Sequence, residues 1–342
     1  MDGSQDLVYY NCTLVNNTEN RVAAEINDSR SMPIVQVPED WEMSIVRFDI
    51  DSLLLPIALF PMGTGPNTQL SMTFRSSGVD YGPFYVQSLE PTGFVQSIAL
   101  GTEMINDTIK NAWPLIGGSR PQFPPRFVWD PITQLFRLYF SADYVTTYSD
   151  FTIYVSDVFY KYMYAFPAII IGPNEPLHKD VMLFTWNPEF VNAAATNRVG
   201  LPMALQSPGY YPAGNLVYLE QSAKSISNWA AVRTIYVTTS SLPSYQESIP
   251  GNVGYGQNSQ TTTNSLAMVT DFIIPQDQNP MEAHNRIEYL PTAEYRMISL
   301  GGRSPLYRVE LKAWWTSFAG GQYPVILPPN GVFAAKLMFR RK

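Results

Sequence analysis

The sequence predicts an all-β protein, and three observations carry that expectation. Short β-branched and aromatic runs recur along the 342 residues, separated by clusters of Pro, Gly, Asn and Ser. Proline is abundant, 28 residues where an average chain carries about 5%, and it gathers at the ends of those runs as punctuation. Helical periodicity is confined to two segments that lie between strands instead of alternating with them, which argues against a parallel α/β sheet.

In chain order, strands are expected over Leu7–Val15, Met43–Ile50, Gln69–Phe74, Phe84–Gln87, Arg126–Trp129, Leu135–Ser141, Phe151–Val155 and Val181–Trp186. They continue over Asn215–Glu220, Val232–Thr239, Ala267–Ile274, Tyr295–Leu300, Leu306–Trp315 and Phe333–Phe339. In Met43–Ile50 the odd positions Met43 and Ile45 face one side, and Val46, Phe48 and Ile50 the other. Both faces of that strand are therefore expected to be covered. Arg126–Phe140 reads as a hairpin, because Asp130-Pro131 is a turn-starting pair. Gly93–Trp113 places Phe94, Ile98, Ile105, Ile109 and Trp113 on one helical stripe, broken by Gly101. Ser156 caps a second, short helix over Asp157–Ala165, with Asp157 in its first turn and Pro167 beyond its end. The proline-rich stretch Asn187–Gly214 is the expected domain boundary, and Leu242–Ser265 an exposed loop. The segment Trp41…Arg47…Pro56 is echoed by Trp229…Arg233…Pro243, as if marking equivalent strands in two similar barrels.

Composition narrows the function classes. Charged residues make up 15% of the chain, against about 25% in a typical soluble domain. The net charge is −7 and the sequence pI about 4.9. Between Met1 and Asn20 stand Asp2, Asp6 and Glu19 and no basic residue, so a basic nucleic-acid arm is not expected there. Lys336, Arg340, Arg341 and Lys342 at the other end read as charges that solubilise a terminal strand. Cys12, the single cysteine, allows neither an intrachain disulfide nor a cysteine metal cage. No signal-peptide pattern accompanies the sequons at Asn11, Asn16, Asn27 and Asn106, so they carry no weight. No apolar run approaches the ~18 residues of a membrane span.

The search for chemistry is negative. His178 and His284 each lie in a loop, and no Gly-x-Ser-x-Gly elbow accompanies them. Metal-ligand spacings are absent. Gly251-Asn252-Val253-Gly254-Tyr255-Gly256 lacks the Lys-Ser/Thr and the helix that a phosphate loop needs. No catalytic, cofactor or metal site is expected, and the chain does not read as an enzyme. The aromatic features, Trp314-Trp315 and the helical set Phe159, Tyr160, Tyr162 and Tyr164, suit a core or subunit contact better than ligand stacking. Core or subunit-contact roles are expected for Trp41, Arg47, Trp229, Arg233, Trp314 and Trp315.

Several stretches resemble virus coat proteins: Pro33-Ile34-Val35 with Trp41–Phe48, the hairpin Asp130–Phe136, Tyr307–Trp315, and Leu327–Gly331 with Lys336–Lys342. The resemblance is to double jelly-roll capsid proteins of small eukaryotic DNA viruses and virus-like elements. It implies two jelly rolls with a few short helices, residues 1–200 forming the first and 201–342 the second. It further implies homotrimeric capsomers that join neighbouring capsomers and other capsid proteins in an icosahedral virion. A host receptor or glycan is a further partner it allows. The second half holds only six expected strands, so a single jelly roll with long insertions fits the same marks. Strong direct nucleic-acid binding and a cofactor are not expected. A penton or minor capsid protein, and a carbohydrate-binding or adhesin sandwich, are the alternative readings.

Overall fold

A computed structural model of the chain describes residues 6–60, 69–87, 93–117, 120–141, 143–148, 150–171, 181–184, 216–229, 231–244, 248–251, 262–273, 286–290, 296–317 and 322–342. Its principal strands begin with β1 (Leu7–Val15), β2 (Glu25–Ser29) and β3 (Trp41–Asp51). There follow β4 (Ser71–Ser76), β5 (Val79–Tyr85), helix α1 (Ile98–Ala112), β6 (Arg126–Asp130) and β7 (Leu135–Ser141). The middle of the chain continues with the single turn α2 (Asp143–Thr146), β8 (Thr152–Ser156), α3 (Asp157–Tyr162), β9 (Ala168–Ile171), β10 (Val181–Phe184) and β11 (Leu216–Glu220). The last five strands are β12 (Val232–Thr239), β13 (Thr262–Ile273), β14 (Arg286–Tyr289), β15 (Arg308–Ser317) and β16 (Val332–Arg341).

The chain forms two compact units, Met1–Leu55 with Ala231–Lys342, and Pro56–Ala230. This partition departs from the division at residue 200 expected from the sequence. The C-terminal strands do not make a roll by themselves: β16 lies between β1 and β3, β14 pairs with β3, and β15 pairs with β2. The stretch Asn187–Gly214, taken as the boundary, lies outside the described residues.

The eight principal strands of the first unit form two antiparallel sheets, to which shorter strands add at the margins. One runs β1-β16-β3-β14; the other runs β2-β15-β12-β13. Counted along this unit alone, the orders are first-eighth-third-sixth and second-seventh-fourth-fifth, which is the jelly roll of two Greek keys. The all-β jelly-roll class expected from the sequence is therefore present, and the first unit is one roll interrupted between its third and fourth strands. Its two sheets meet where Phe48 of β3 lies 4.9 Å from Phe272 of β13, with Tyr289 of β14 stacked on both rings.

The pattern in β3 differs from the expected two-sided one. Lys336 of β16 faces Arg47 while the next residue, Leu337, faces Ile45, so Val46 is left as a bulge. One extra residue reverses the parity, and Met43, Ile45, Phe48 and Ile50 all point into the core. Several strands escaped the sequence reading, and three of them show why. The polar β2 is held by pairing with β15, where Glu25 meets Lys312. The short β14 is fixed by its ladder on β3 and by the Arg286–Asp49 ion pair. The segment Ser248–Gly251 pairs with β13, which begins at Thr262, inside the region expected to be loop.

The second unit contains a five-stranded sheet, β9-β10-β8-β4-β5, a three-stranded sheet, β11-β7-β6, and the helices. Ser77 and Gly78, both at positive φ, form the tight turn between β4 and β5, as a right-twisted two-residue hairpin requires. The β6–β7 hairpin is as expected, with Asp130 accepting from the Ile132 amide at 2.9 Å. Helix α1 starts at Ile98, later than the periodicity suggested, because Ser97 caps it by accepting from the Leu100 amide. Phe94–Val95 instead pairs with Ala58–Leu59. Ser156 caps α3 as expected; the helix ends at Tyr162, short of Ala165, whose positive φ departs from helical geometry. Gly101 does not break α1. A Cβ there would lie 2.7 Å from the Trp229 ring, so glycine is what lets helix and ring approach.

Candidate assembly surface

The six residues expected to make core or subunit contacts separate into two groups. Trp229 is 0% exposed and belongs to the core of the second unit, where its Nε1 donates to the Tyr162 carbonyl at 2.9 Å and its ring stacks on Phe136. Trp315 faces the core of the roll and stacks on Tyr323 with centroids 4.5 Å apart. Phe159, from the aromatic helix, is also fully buried. These rings are unavailable to a glycan. The remaining four residues lie nearer the surface of the roll. Trp314 is half-buried on the opposite face of β15 and donates to the Thr238 hydroxyl at 2.9 Å. Trp41 is half-buried at the start of β3. Arg47 and Arg233 are exposed, the first beside the bulge at Val46 and the second itself left unpaired by a register shift in β12. The sequence echo containing them does not mark equivalent strands of two barrels: β3 and β12 lie in opposite sheets of the same roll, and Trp229 is in the other unit.

The surface is organised by two strands whose importance the sequence hid. Asp6 accepts from the Arg341 amide, and Asn16 donates from its amide to the Gly331 carbonyl. The register of β1 on β16 then assigns the ladder bonds to the even residues, Val8 to Leu14. The odd residues, Leu7, Tyr9, Asn11, Thr13 and Val15, point their amides and carbonyls away from β16. Their side chains are the more exposed ones of the strand, Tyr9 at 51%. Beside them Lys336 projects from β16, its ammonium 4.7 Å from the Tyr9 ring centroid and directly opposite Arg47. Neither cation forms an ion pair among the described residues. The β-branched and aromatic runs Leu7–Val15 and Phe333–Phe339 were the available signal for this face.

Buried titratable groups lie behind it. The Cys12 thiol, packed under β16, is pushed up to about 11 by burial and the nearby Asp28 charge. Tyr10 rises to about 12, through burial first and then its 2.6 Å hydrogen bond to Asp28. At the β2–β15 pairing, Lys312 bridges Glu25 and Glu310, each at 3.1 Å. Burial pushes the Glu310 carboxyl up, but Ser240, Lys312 and Arg308 outweigh that and hold it below its ordinary value. No group of His, Cys, Asp and Glu able to hold a metal exists among the described residues, and no described helix is long and apolar enough to cross a membrane. His178 and His284 lie outside the described residues, as does most of the glycine-rich Gly251–Gly256.

This fold is one that other proteins share. The family model of the Sputnik minor capsid protein V18/19 matches residues 8–99 and 90–341. The chain belongs to this family. Structural protein V19 of Sputnik virophage is 28% identical to it over 218 residues, 63% of this chain and 94% of the relative. A chain of the 3.5 Å cryo-EM structure of the Sputnik virophage superposes with a TM-score of 0.76 at 24% identity, over 99% of both chains. The mavirus penton protein superposes with a TM-score of 0.69 at 15% identity, over 98% of this chain and 99% of the other. The V18/19 family chain is thus a viral capsid protein of the virion, structural rather than enzymatic. The jelly-roll fold is common to it and both solved structures.

Proposed function

We propose that this V18/19 family protein is the penton subunit of a virophage-type capsid, five copies closing each vertex and contacting neighbouring capsid proteins. The observation that carries the reading is the one jelly roll formed among the described residues, eight principal strands interrupted between the third and the fourth. Trimeric capsomers, which the sequence resemblance implied, need two similar rolls per subunit so that three subunits present six near-equivalent units. Among the described residues the second unit has a different strand order and does not supply that repeat, whereas five copies close a ring by rotation alone. The name of the mavirus penton protein, similar over nearly its whole length, supports the same choice. The scarcity of charged side chains suits repeated contacts, since little charge is desolvated and little rotamer freedom lost at each.

Light scattering on the purified chain tests this. A species of five times the 38.5 kDa chain mass is expected at high concentration. A discrete trimer, or a monomer at every concentration, contradicts the proposal.

A further inference from the structure

Sheet edges offer unpaired backbone groups to other chains, and proteins blunt them with charge, proline, bulges or brevity. Nearly every edge strand among the described residues carries such a device. In the roll, β14 is four residues long with Arg286 and Glu288, and β2 carries Glu25 and Asp28. The short outer strands Ser248–Gly251 and Gln322–Pro324 contain Pro250 and Pro324. In the second unit β5 has Asp80, Pro83 and a register shift, β6 has Arg126 and Asp130, and β11 has Glu220; β9 is four residues long. The exception is β1. Its nine residues, Leu-Val-Tyr-Tyr-Asn-Cys-Thr-Leu-Val, include no charge and no proline, and its register on β16 runs without a bulge.

Charge specifies what this edge is suited to receive. Lys336 and Arg47 face each other across β16 and β3 without an ion pair among the described residues, a like-charge arrangement that destabilises an isolated sheet. Lys336 leans over Tyr9, toward the open edge. We propose that β1 receives, as an added antiparallel strand, an extended segment of a neighbouring capsid protein with carboxylates at alternate positions. The segment's main chain completes the ladder on Leu7, Tyr9, Asn11, Thr13 and Val15. Its carboxylates lie on the outer face and neutralise Lys336 and, through it, the repulsion with Arg47. The inference rests on the reading of this chain as one that assembles with other capsid proteins. It concerns a peptide strand and not nucleic acid, because phosphates can accept from the free amides of this edge but supply no donors for the carbonyls that alternate with them.

The test uses the full chain and a labelled peptide as long as β1, alternating valine and glutamate and blocked at both ends, read by fluorescence anisotropy at low salt. Saturable binding is expected, weakened at least about tenfold when lysine replaces glutamate, with the charge preference reversed in the Lys336→Glu, Arg47→Glu double variant. Asn11→Pro removes an outward amide while leaving the even-residue ladder bonds, and is expected to abolish binding. Methylating the peptide's alternate nitrogens does the same without altering the protein. Equal binding of both peptides, or binding indifferent to Asn11→Pro and to methylation, overturns the proposal. So does binding of a DNA duplex, but not the peptide, through Lys336 and Arg47. Protection of the odd β1 amides from hydrogen exchange on self-assembly would give the edge to a second copy instead. Light scattering of the same samples reports oligomer size separately, so a failure here with the expected oligomer intact discards this inference alone.

Discussion

Asn106 shows how a residue's meaning changes once its surroundings are known. In the sequence it is one of four sequons; in the structure it is buried on α1. Its Nδ2 donates to the Phe127 carbonyl and its Oδ1 accepts from the Phe127 amide, both at 2.8 Å. A side chain that satisfies both groups of one backbone residue substitutes for a missing neighbour strand at the edge of β6. Replacing it with alanine leaves both groups buried without partners. Asn106→Ala is expected to lower the unfolding free energy by about 1–3 kcal/mol in urea titrations. The exposed sequon residue Asn11, changed to alanine, is expected to stay within about 0.5 kcal/mol of the native chain. Trp229 and Gly101 are a comparable pair: each was visible in the sequence, as a contact residue and as a helix break, and only their mutual packing explains both.

At the scale of elements, strands rich in β-branched and aromatic residues were legible and strands made by their partners were not. The expected β1, β7, β12 and β16 agree with the structure to within a residue or two at their ends, because β-branched and aromatic residues are concentrated in them. The pairing of β2 with β15 rests instead on Glu25, Lys312 and Glu310, residue types that propensity does not favour in strands, and in β2 no apolar run compensates. This pairing predicts a pH dependence. Glu310 is held below its ordinary 4.5, so its contribution to stability is complete above that value. It is lost as pH falls through the lower folded value. Thermal melts are therefore expected to show a steeper loss of stability below about pH 4.5 for the native chain than for Glu310→Gln. Parallel curves would remove the ion network from the account. The bulge at Val46 was likewise invisible: parity read from the sequence assumed an unbroken ladder, and a single inserted residue moved four apolar side chains to one face.

At the scale of the whole molecule, the all-β class and the kinship with capsid proteins followed from composition and scattered matches, while the division of the chain did not. A discontinuous unit defeats any reading that proceeds from left to right, because the strands that complete the roll after residue 231 find partners before residue 55. The strand order, unlike the strand count, separates one interrupted roll from two consecutive ones, and strand order is a tertiary fact. It supports the central proposal, that this V18/19 family protein closes vertices instead of forming the faces of the shell. Negative-stain microscopy of the assembled protein tests that claim most directly. Class averages with fivefold rings are predicted, and class averages with threefold, pseudo-hexagonal outlines would contradict it.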